Sequence, residues 1–256
     1  MPTFRSVDGI EIFYRVEGPS SPAPPVVLHH GFGASGQGDW VQTGTVAALT
    51  AGDRQVILPD ARGHGRSEKP HDPAFYGEAR MAADVSALLD TLDLRQVDLV
   101  GYSMGAVVAL ITAAREPRVR RLVVGGIGAG AVELGGVDTR VLGRQVLRDA
   151  LLADDPADVT DPFATAFRTF VDAGGADRLA LAAQAAAVHT RPLPLDAVRV
   201  PTLVLAGRDD PLAARPEVLA GALPDATLRL VGGDHGGALS DPGFIEAIVT
   251  FLAEGR

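Results

Sequence analysis

Ser103 stands between two glycines in the run Gly101-Tyr102-Ser103-Met104-Gly105. Val97, Leu99 and Val100 upstream form a short aliphatic run, and residues 106–114 downstream are almost wholly apolar and alanine-rich, suited to a buried helix. The pattern predicts strand, sharp turn, helix, with the serine at the corner. Gly101 and Gly105 lack side chains, so strand and helix can approach closely and push the hydroxyl out of the turn. A nucleophile needs that exposure, with a substrate carbonyl on one side and a base on the other. His235 lies in a glycine-rich loop, Gly232-Gly233-Asp234-His235-Gly236-Gly237, after a strand pattern at residues 227–231. Asp209 and Asp210 follow another strand pattern, at residues 202–206, in Gly207-Arg208-Asp209-Asp210-Pro211. Serine, carboxylate and histidine are the parts of a nucleophilic acyl-transfer site.

A competing pattern sits near the N-terminus. Gly31-x-Gly33-x-x-Gly36 matches the G-x-G-x-x-G dinucleotide fingerprint, follows the strand run Val26-Val27-Leu28-His29, and precedes Asp60, which ends the next strand. Gly36-Gln37-Gly38-Asp39 reads as continued loop, however, where that fingerprint requires a helix N-terminus to receive a pyrophosphate. The acyl-transfer reading is preferred.

The 256 residues can bury a large core in one domain plus a modest insertion. Acidic residues outnumber basic ones 32 to 23, for a net charge of −9, which argues against a nucleic-acid partner. There is no cysteine, so disulfides, thiolate metal sites and cysteine nucleophiles are excluded. Lys69 is the only lysine, and histidines and carboxylates do not cluster at metal-ligand spacing. Charges scattered through the first residues leave no signal-like apolar stretch, no later run is apolar enough to cross a bilayer, and a cytoplasmic protein is expected.

Asp8-Gly9 predicts a two-residue hairpin between strands at 3–7 and 10–16. Helices are expected at 40–51, 79–92, 211–223 and 242–253, and strands at 55–58 and 119–124. The segment from about 128 to 195 breaks the strand–helix alternation and reads as helices at 138–153, 161–173 and 176–188. Asp161 followed by Pro162 forms a helix start, and Asp138 is expected to cap similarly. Leu142, Leu147, Leu151, Phe163, Phe167 and Phe170 are expected mostly to pack onto the rest of the chain.

Taken together, Gly-Tyr-Ser-Met-Gly, the turn His30-Gly31-Phe32 and the final Asp and His loops resemble the α/β-hydrolase superfamily over nearly the whole chain. The resemblance implies an α/β fold with a mostly parallel eight-stranded sheet flanked by helices. Residues 1–127 and 196–256 would form its core, and residues 128–195 a helical cap inserted after the sixth strand. It implies Ser103 as nucleophile, His235 as base and Asp210, rather than Asp209, as the acid that orients the base. The backbone N–H groups of Phe32 and Met104 would form the oxyanion hole, and Phe32, Tyr102 and Trp40 would touch substrate. The segment Asp60-Ala61-Arg62-Gly63-His64-Gly65-Arg66-Ser67 resembles a structural loop of the family, so His64 is not expected to be the base. His29 is expected in the core, His71 in solvent and His189 at the surface. Serine at position 103 sets the chain apart from epoxide hydrolases and dehalogenases of this fold, which use aspartate.

The implied activity is hydrolysis of a small carboxylic ester or lactone through an acyl-enzyme, without metal or organic cofactor. Carbon–carbon bond hydrolysis and cofactor-free perhydrolysis share the same triad. A hydrolase-fold ligand-binding protein is the non-enzymatic alternative.

Overall fold

The computed structural model describes residues 2–254; Met1, Gly255 and Arg256, which belong to the expected core segments, lie outside the described residues. Eight strands form one sheet: β1 (Thr3–Arg5), β2 (Glu11–Glu17), β3 (Val26–His29), β4 (Val56–Pro59), β5 (Val97–Tyr102), β6 (Val119–Gly125), β7 (Thr202–Gly207) and β8 (Ala226–Val231). Their order is β1-β2-β4-β3-β5-β6-β7-β8, with β2 antiparallel to both neighbours and the other pairings parallel. The helices are α1 (Thr45–Ala51), α2 (Glu78–Thr91), α3 (Met104–Ala113), α4 (Ala129–Glu133), α5 (Arg144–Leu152), α6 (Pro162–Ala173), α7 (Arg178–Ala186), α8 (Pro216–Ala222) and α9 (Pro242–Ala253).

The sheet is buried on both faces, its central strands being apolar at most positions, as expected of parallel strands covered by helices. Successive side chains then alternate between two cores. Val27, Ile57 and Leu99 face α2 and α3, packing with Met81, Val85, Leu88, Val107 and Leu110. Val26, Leu28, Leu58 and Val100 face the other way, onto Trp40, Leu49 of α1, and Phe244 and Ile248 of α9. α3 is buried along its whole length, which its alanine, valine and leucine content allows. Between β6 and β7 the chain leaves the sheet for α4 to α7. Leu147 and Leu151 of α5, Val171 of α6, and Leu181, Ala182 and Ala185 of α7 share a separate apolar cluster.

Several local expectations are corrected. The first hairpin has a three-residue loop: Ser6 N–H donates to Ile10 O, Gly9 N–H donates to Ser6 O, and only Gly9 takes a positive φ, of 88°. That is a turn closed by a glycine bulge. The helix expected over 40–51 is split at Gly44 (φ 93°) into a five-residue π turn, Gln37–Val41, and α1. The helix expected from Asp138 begins at Arg144, because the buried Asp138 carboxylate is occupied by the Arg140 guanidinium instead of a helix end. α4 was not expected. The helix expected over 211–223 is divided by Arg215, at φ 51°, into a 3-10 turn, Pro211–Ala213, and α8. Asp161 does cap α6, accepting from Ala164 N–H at 2.9 Å ahead of Pro162. Phe163 and Phe170, expected to pack inward, are about half exposed.

Candidate active site

The turn between β5 and α3 requires its two glycines. A Cβ on Gly101 would lie 2.1 Å from Gly105 O, and one on Gly105 would lie 2.2 Å from His29 O. Real Cβ atoms do not make such contacts, so strand, helix and the end of β3 can meet only because these side chains are absent. Ser103 at the apex has φ 53° and ψ −116°, a conformation L-residues seldom adopt and one that surrounding structure must impose. Its N–H donates to Gly125 O at 2.8 Å, tying the apex to β6. Its hydroxyl has no hydrogen-bond partner among the described residues.

The acid and the histidine come from the ends of the next strands. Asp210 follows β7 and is buried, whereas Asp209 is exposed. Asp210 Oδ1 accepts the N–H groups of Leu212 (2.9 Å) and Ala213 (3.3 Å), capping the 3-10 turn and fixing the carboxylate. This leaves Oδ2 for His235, whose Nδ1 lies 2.8 Å away. With Nδ1–H donating to the carboxylate, Nε2 is the lone-pair nitrogen, the tautomer a general base requires. The loop that carries His235 is pinned over the serine turn by Tyr102. The Tyr102 hydroxyl donates to His235 O at 2.5 Å, and its ring centroid lies 5.1 Å from that of His235.

His30, Gly31 and Phe32 run past the same corner, and a Cβ on Gly31 would lie 3.5 Å from Ser103 Cβ. Phe32 N–H has no acceptor among the described residues. Met104 is the first residue of α3, where a backbone N–H lacks an intrahelical acceptor. Two uncommitted amides therefore flank the serine. The Phe32 ring stacks on Phe167 of α6 at 5.2 Å and 4°, so the inserted helices touch this turn directly.

Trp40 and Tyr102 do not lie where substrate contact was expected. Trp40 is fully buried among Val26, Leu28 and the α9 side chains, because its indole fills the core beneath the turn. The Tyr102 ring is wedged between His235 and Phe244, a packing role. His29 is buried, and burial beside His30 pushes it down to about 3. His71 is half exposed and bonded to Asp177 at 3.0 Å. His189, expected at the surface, is half-buried: its Nε2 is enclosed with no partner among the described residues, and its backbone N–H donates to Glu78 at 2.7 Å.

The fingerprint glycines do not cradle a phosphate, although a short helical turn does start directly after Gly36. Two of the three spend their N–H groups on carboxylates, Gly31 on Asp39 Oδ2 (2.8 Å) and Gly36 on Asp60 Oδ1 (2.9 Å), and just beyond them Gly38 N–H goes to Ser35 Oγ (3.3 Å). A cavity of about 680 Å³ opens elsewhere, between α5, α7 and the loop before α2, where His71, Arg144, Arg148 and Leu179 line it. It borders neither Ser103 nor His235.

Asp39 was missed as a site residue, since nothing in Gly38-Asp39-Trp40 distinguishes it from a loop aspartate. Burial pushes its carboxyl up, opposed by the nearby His30 and His235 rings. Glu78, buried at the start of α2 where it accepts His189 N–H, is a second buried carboxyl; burial pushes it up to about 7. Among the described residues, no cluster of His, Asp or Glu is placed to hold a metal, and no helix is long and apolar enough to cross a membrane.

Residues 24–134 match the family model described as the alpha/beta hydrolase fold. Over 111 residues the chain is 42% identical to 2-hydroxy-6-oxo-2,4-heptadienoate hydrolase of Pseudomonas putida, an alignment covering 43% of this chain and 40% of that protein. The chain thus matches less than half the length of this curated relative. A crystal structure of a hydrolase from Pseudomonas aeruginosa superimposes with a TM-score of 0.79 at 28% identity, covering 98% of both chains. The enol-lactonase of Burkholderia xenovorans superimposes with a TM-score of 0.75 at 27% identity, over 99% of this chain and 100% of that one. The sheet order, the serine turn and these similarities agree on one architecture: the chain has the α/β-hydrolase fold.

Proposed function

We propose that the protein is a serine hydrolase that cleaves a carboxylic ester or lactone of a small molecule. The observation that carries this reading is the Asp210–His235 pair, joined through Nδ1 at 2.8 Å in a loop that bonds Tyr102, the residue before a serine held at positive φ. His235 Nε2 takes the Ser103 proton as Oγ attacks the acyl carbonyl. The tetrahedral oxygen receives the N–H groups of Phe32 and Met104. Collapse breaks the acyl–oxygen bond as His235 returns the proton to the departing alkoxide, leaving an acyl-Ser103. A water then repeats the sequence: His235 takes its proton, hydroxide adds to the acyl carbon, and Ser103 leaves reprotonated. Asp210 holds the imidazole tautomer and balances the imidazolium charge in each half. No step calls on a metal or organic cofactor.

Residues 128–195 act as a cap in this reading, supported by the stacking of Phe167 on Phe32, and Phe32 is the residue of the turn best placed to touch substrate. Carbon–carbon bond hydrolysis is the second reading. It is favoured by the 42% identity over 111 residues to 2-hydroxy-6-oxo-2,4-heptadienoate hydrolase. A panel of short-chain p-nitrophenyl esters, aliphatic lactones and vinylogous β-diketones separates the two. Ester or lactone turnover that vanishes in Ser103→Ala supports the first reading. Diketone cleavage with silent esters and lactones replaces it with the second.

A further inference from the structure

Both backbone polar groups of Gly31, the residue before the proposed oxyanion donor, are taken by side chains. Asp39 Oδ2 accepts its N–H at 2.8 Å. His30 Nδ1 lies 2.8 Å from its carbonyl oxygen. The direction of that second bond is fixed from the far side of the ring. Ala61 N–H donates to His30 Nε2 at 2.9 Å, so Nε2 is the acceptor and Nδ1 carries the proton. The Gly31 carbonyl and the Phe32 N–H belong to one planar peptide. Holding the carbonyl therefore aims the N–H, and holding Gly31 N–H fixes the preceding plane as well.

Asp39 is a rigid post. It sits in the π turn Gln37–Val41, its own N–H donates to Ser35 O at 3.0 Å, and its carbonyl accepts the Thr43 hydroxyl at 2.7 Å. The next residue, Trp40, is sealed in the core. The Asp39 carboxylate bonds Gly31 N–H, outside its own turn. A Cβ placed on Gly31 would meet Asp39 Oδ2 at 3.4 Å and Ser103 Cβ at 3.5 Å, so the carboxylate and the serine approach one backbone position from two sides.

We infer that Asp39 is a positioning residue for the oxyanion hole, holding Gly31 N–H while His30 holds Gly31 O, so that Phe32 N–H is aimed at the oxygen that develops beside Ser103. This rests on the reading of Ser103 as nucleophile and goes beyond it in assigning a side chain to a backbone donor. Losing one oxyanion donor typically costs about 10²–10³ in kcat, so misaiming one by removing its post costs about 10–100-fold, in kcat and not in KM.

The test compares Asp39→Ala with Asp39→Asn, whose amide oxygen can still accept Gly31 N–H. Hydrogen exchange of the peptide covering residues 30–34, read by mass spectrometry without substrate, is expected to speed up about tenfold or more in Asp39→Ala. In Asp39→Asn it stays close to the wild type. On the best ester of the panel, kcat falls about 10–100-fold in Asp39→Ala with KM within about threefold, and Asp39→Asn restores most of it. Unchanged exchange at 30–34 in Asp39→Ala overturns the inference. So does exchange that speeds equally in the β5–α3 peptides, which would make Asp39 a residue of the fold. A kcat loss in Asp39→Asn as large as in Asp39→Ala overturns it by making charge, and not the bond, the operative feature. If the wild type turns over no ester, lactone or diketone, the reading of Ser103 fails, while the exchange result still decides the Asp39 contact.

Discussion

Two regions of this molecule contain serine, histidine and aspartate close together, and they differ in what their polar atoms are left to do. In the segment after β4, Asp60 accepts the N–H groups of Gly36 and Arg66, Ser67 Oγ donates to Asp60 O and accepts from Phe13 N–H, and His64 Nδ1 is bonded to Arg62 O. Arg62 is enclosed and bonds Asp84, Asp8 and Phe75 O. His64 is buried, and desolvation pushes its pKa well below the ordinary histidine range. Donors and acceptors there are spent on the fold or sealed from substrate. At the ends of β5, β7 and β8, Asp210 spends one oxygen on the backbone and one on His235, whereas the Ser103 hydroxyl, the His235 Nε2 and the Phe32 N–H have no partner among the described residues. Residue types do not separate the proposed catalytic constellation from the structural one; unspent valences do.

The largest expected effect breaks the catalytic side. Ser103→Ala should lower kcat by about 10⁶-fold, to the level left by binding and the oxyanion hole, while Ser67→Ala leaves kcat within about threefold; steady-state rates on the best substrate check both. Next, Asp210→Asn should cost about 10⁴-fold by disturbing the His235 tautomer, whereas the exposed Asp209→Asn leaves the rate nearly unchanged. A large loss in Asp209→Asn would move the acid to the neighbouring position.

Breaking the structural side should show in stability. Arg62→Ala leaves Asp84 buried without its cation and should lower unfolding free energy by about 3–5 kcal/mol in denaturant titration, with kcat per folded molecule little changed. The smallest effect concerns Glu78, buried with N–H donors but no cation. Its carboxyl sits at about 7 in the fold, against about 4.3 in an unfolded chain. The unfolded state therefore releases the proton first, and the contribution of Glu78 to stability is full below about pH 4.3 and lost as pH rises through 7. Glu78→Gln removes this dependence, so its melting temperature relative to the wild type should climb between pH 4.5 and 7 and level off above. A difference that stays flat over that range would show that Glu78 does not hold its proton in the fold.

The sheet and the order of serine, aspartate and histidine were legible because periodicity and glycine spacing are local. Val97 to Val100 alternates between two cores, and Gly101 is demanded by its contact with Gly105 four residues on, although Gly105 itself is demanded by the end of β3. Asp210 could be chosen over Asp209 only by resemblance; burial and the two N–H bonds that separate them depend on the 3-10 turn. Trp40 and Tyr102 were misplaced because an aromatic next to a site residue in sequence can point to either face of the sheet or turn. Asp39 and Glu78 were invisible because their partners, Gly31 and His189, are selected by tertiary packing. Arg215 broke a helix through a positive φ that its residue type does not announce.

Intact-mass analysis after brief exposure to a fluorophosphonate, on the wild type, Ser103→Ala and Ser67→Ala, is the most direct test of an activated Ser103. One adduct on the wild type and on Ser67→Ala, with none on Ser103→Ala, is the predicted result. An adduct that persists in Ser103→Ala, or a folded wild type that takes none, would contradict it.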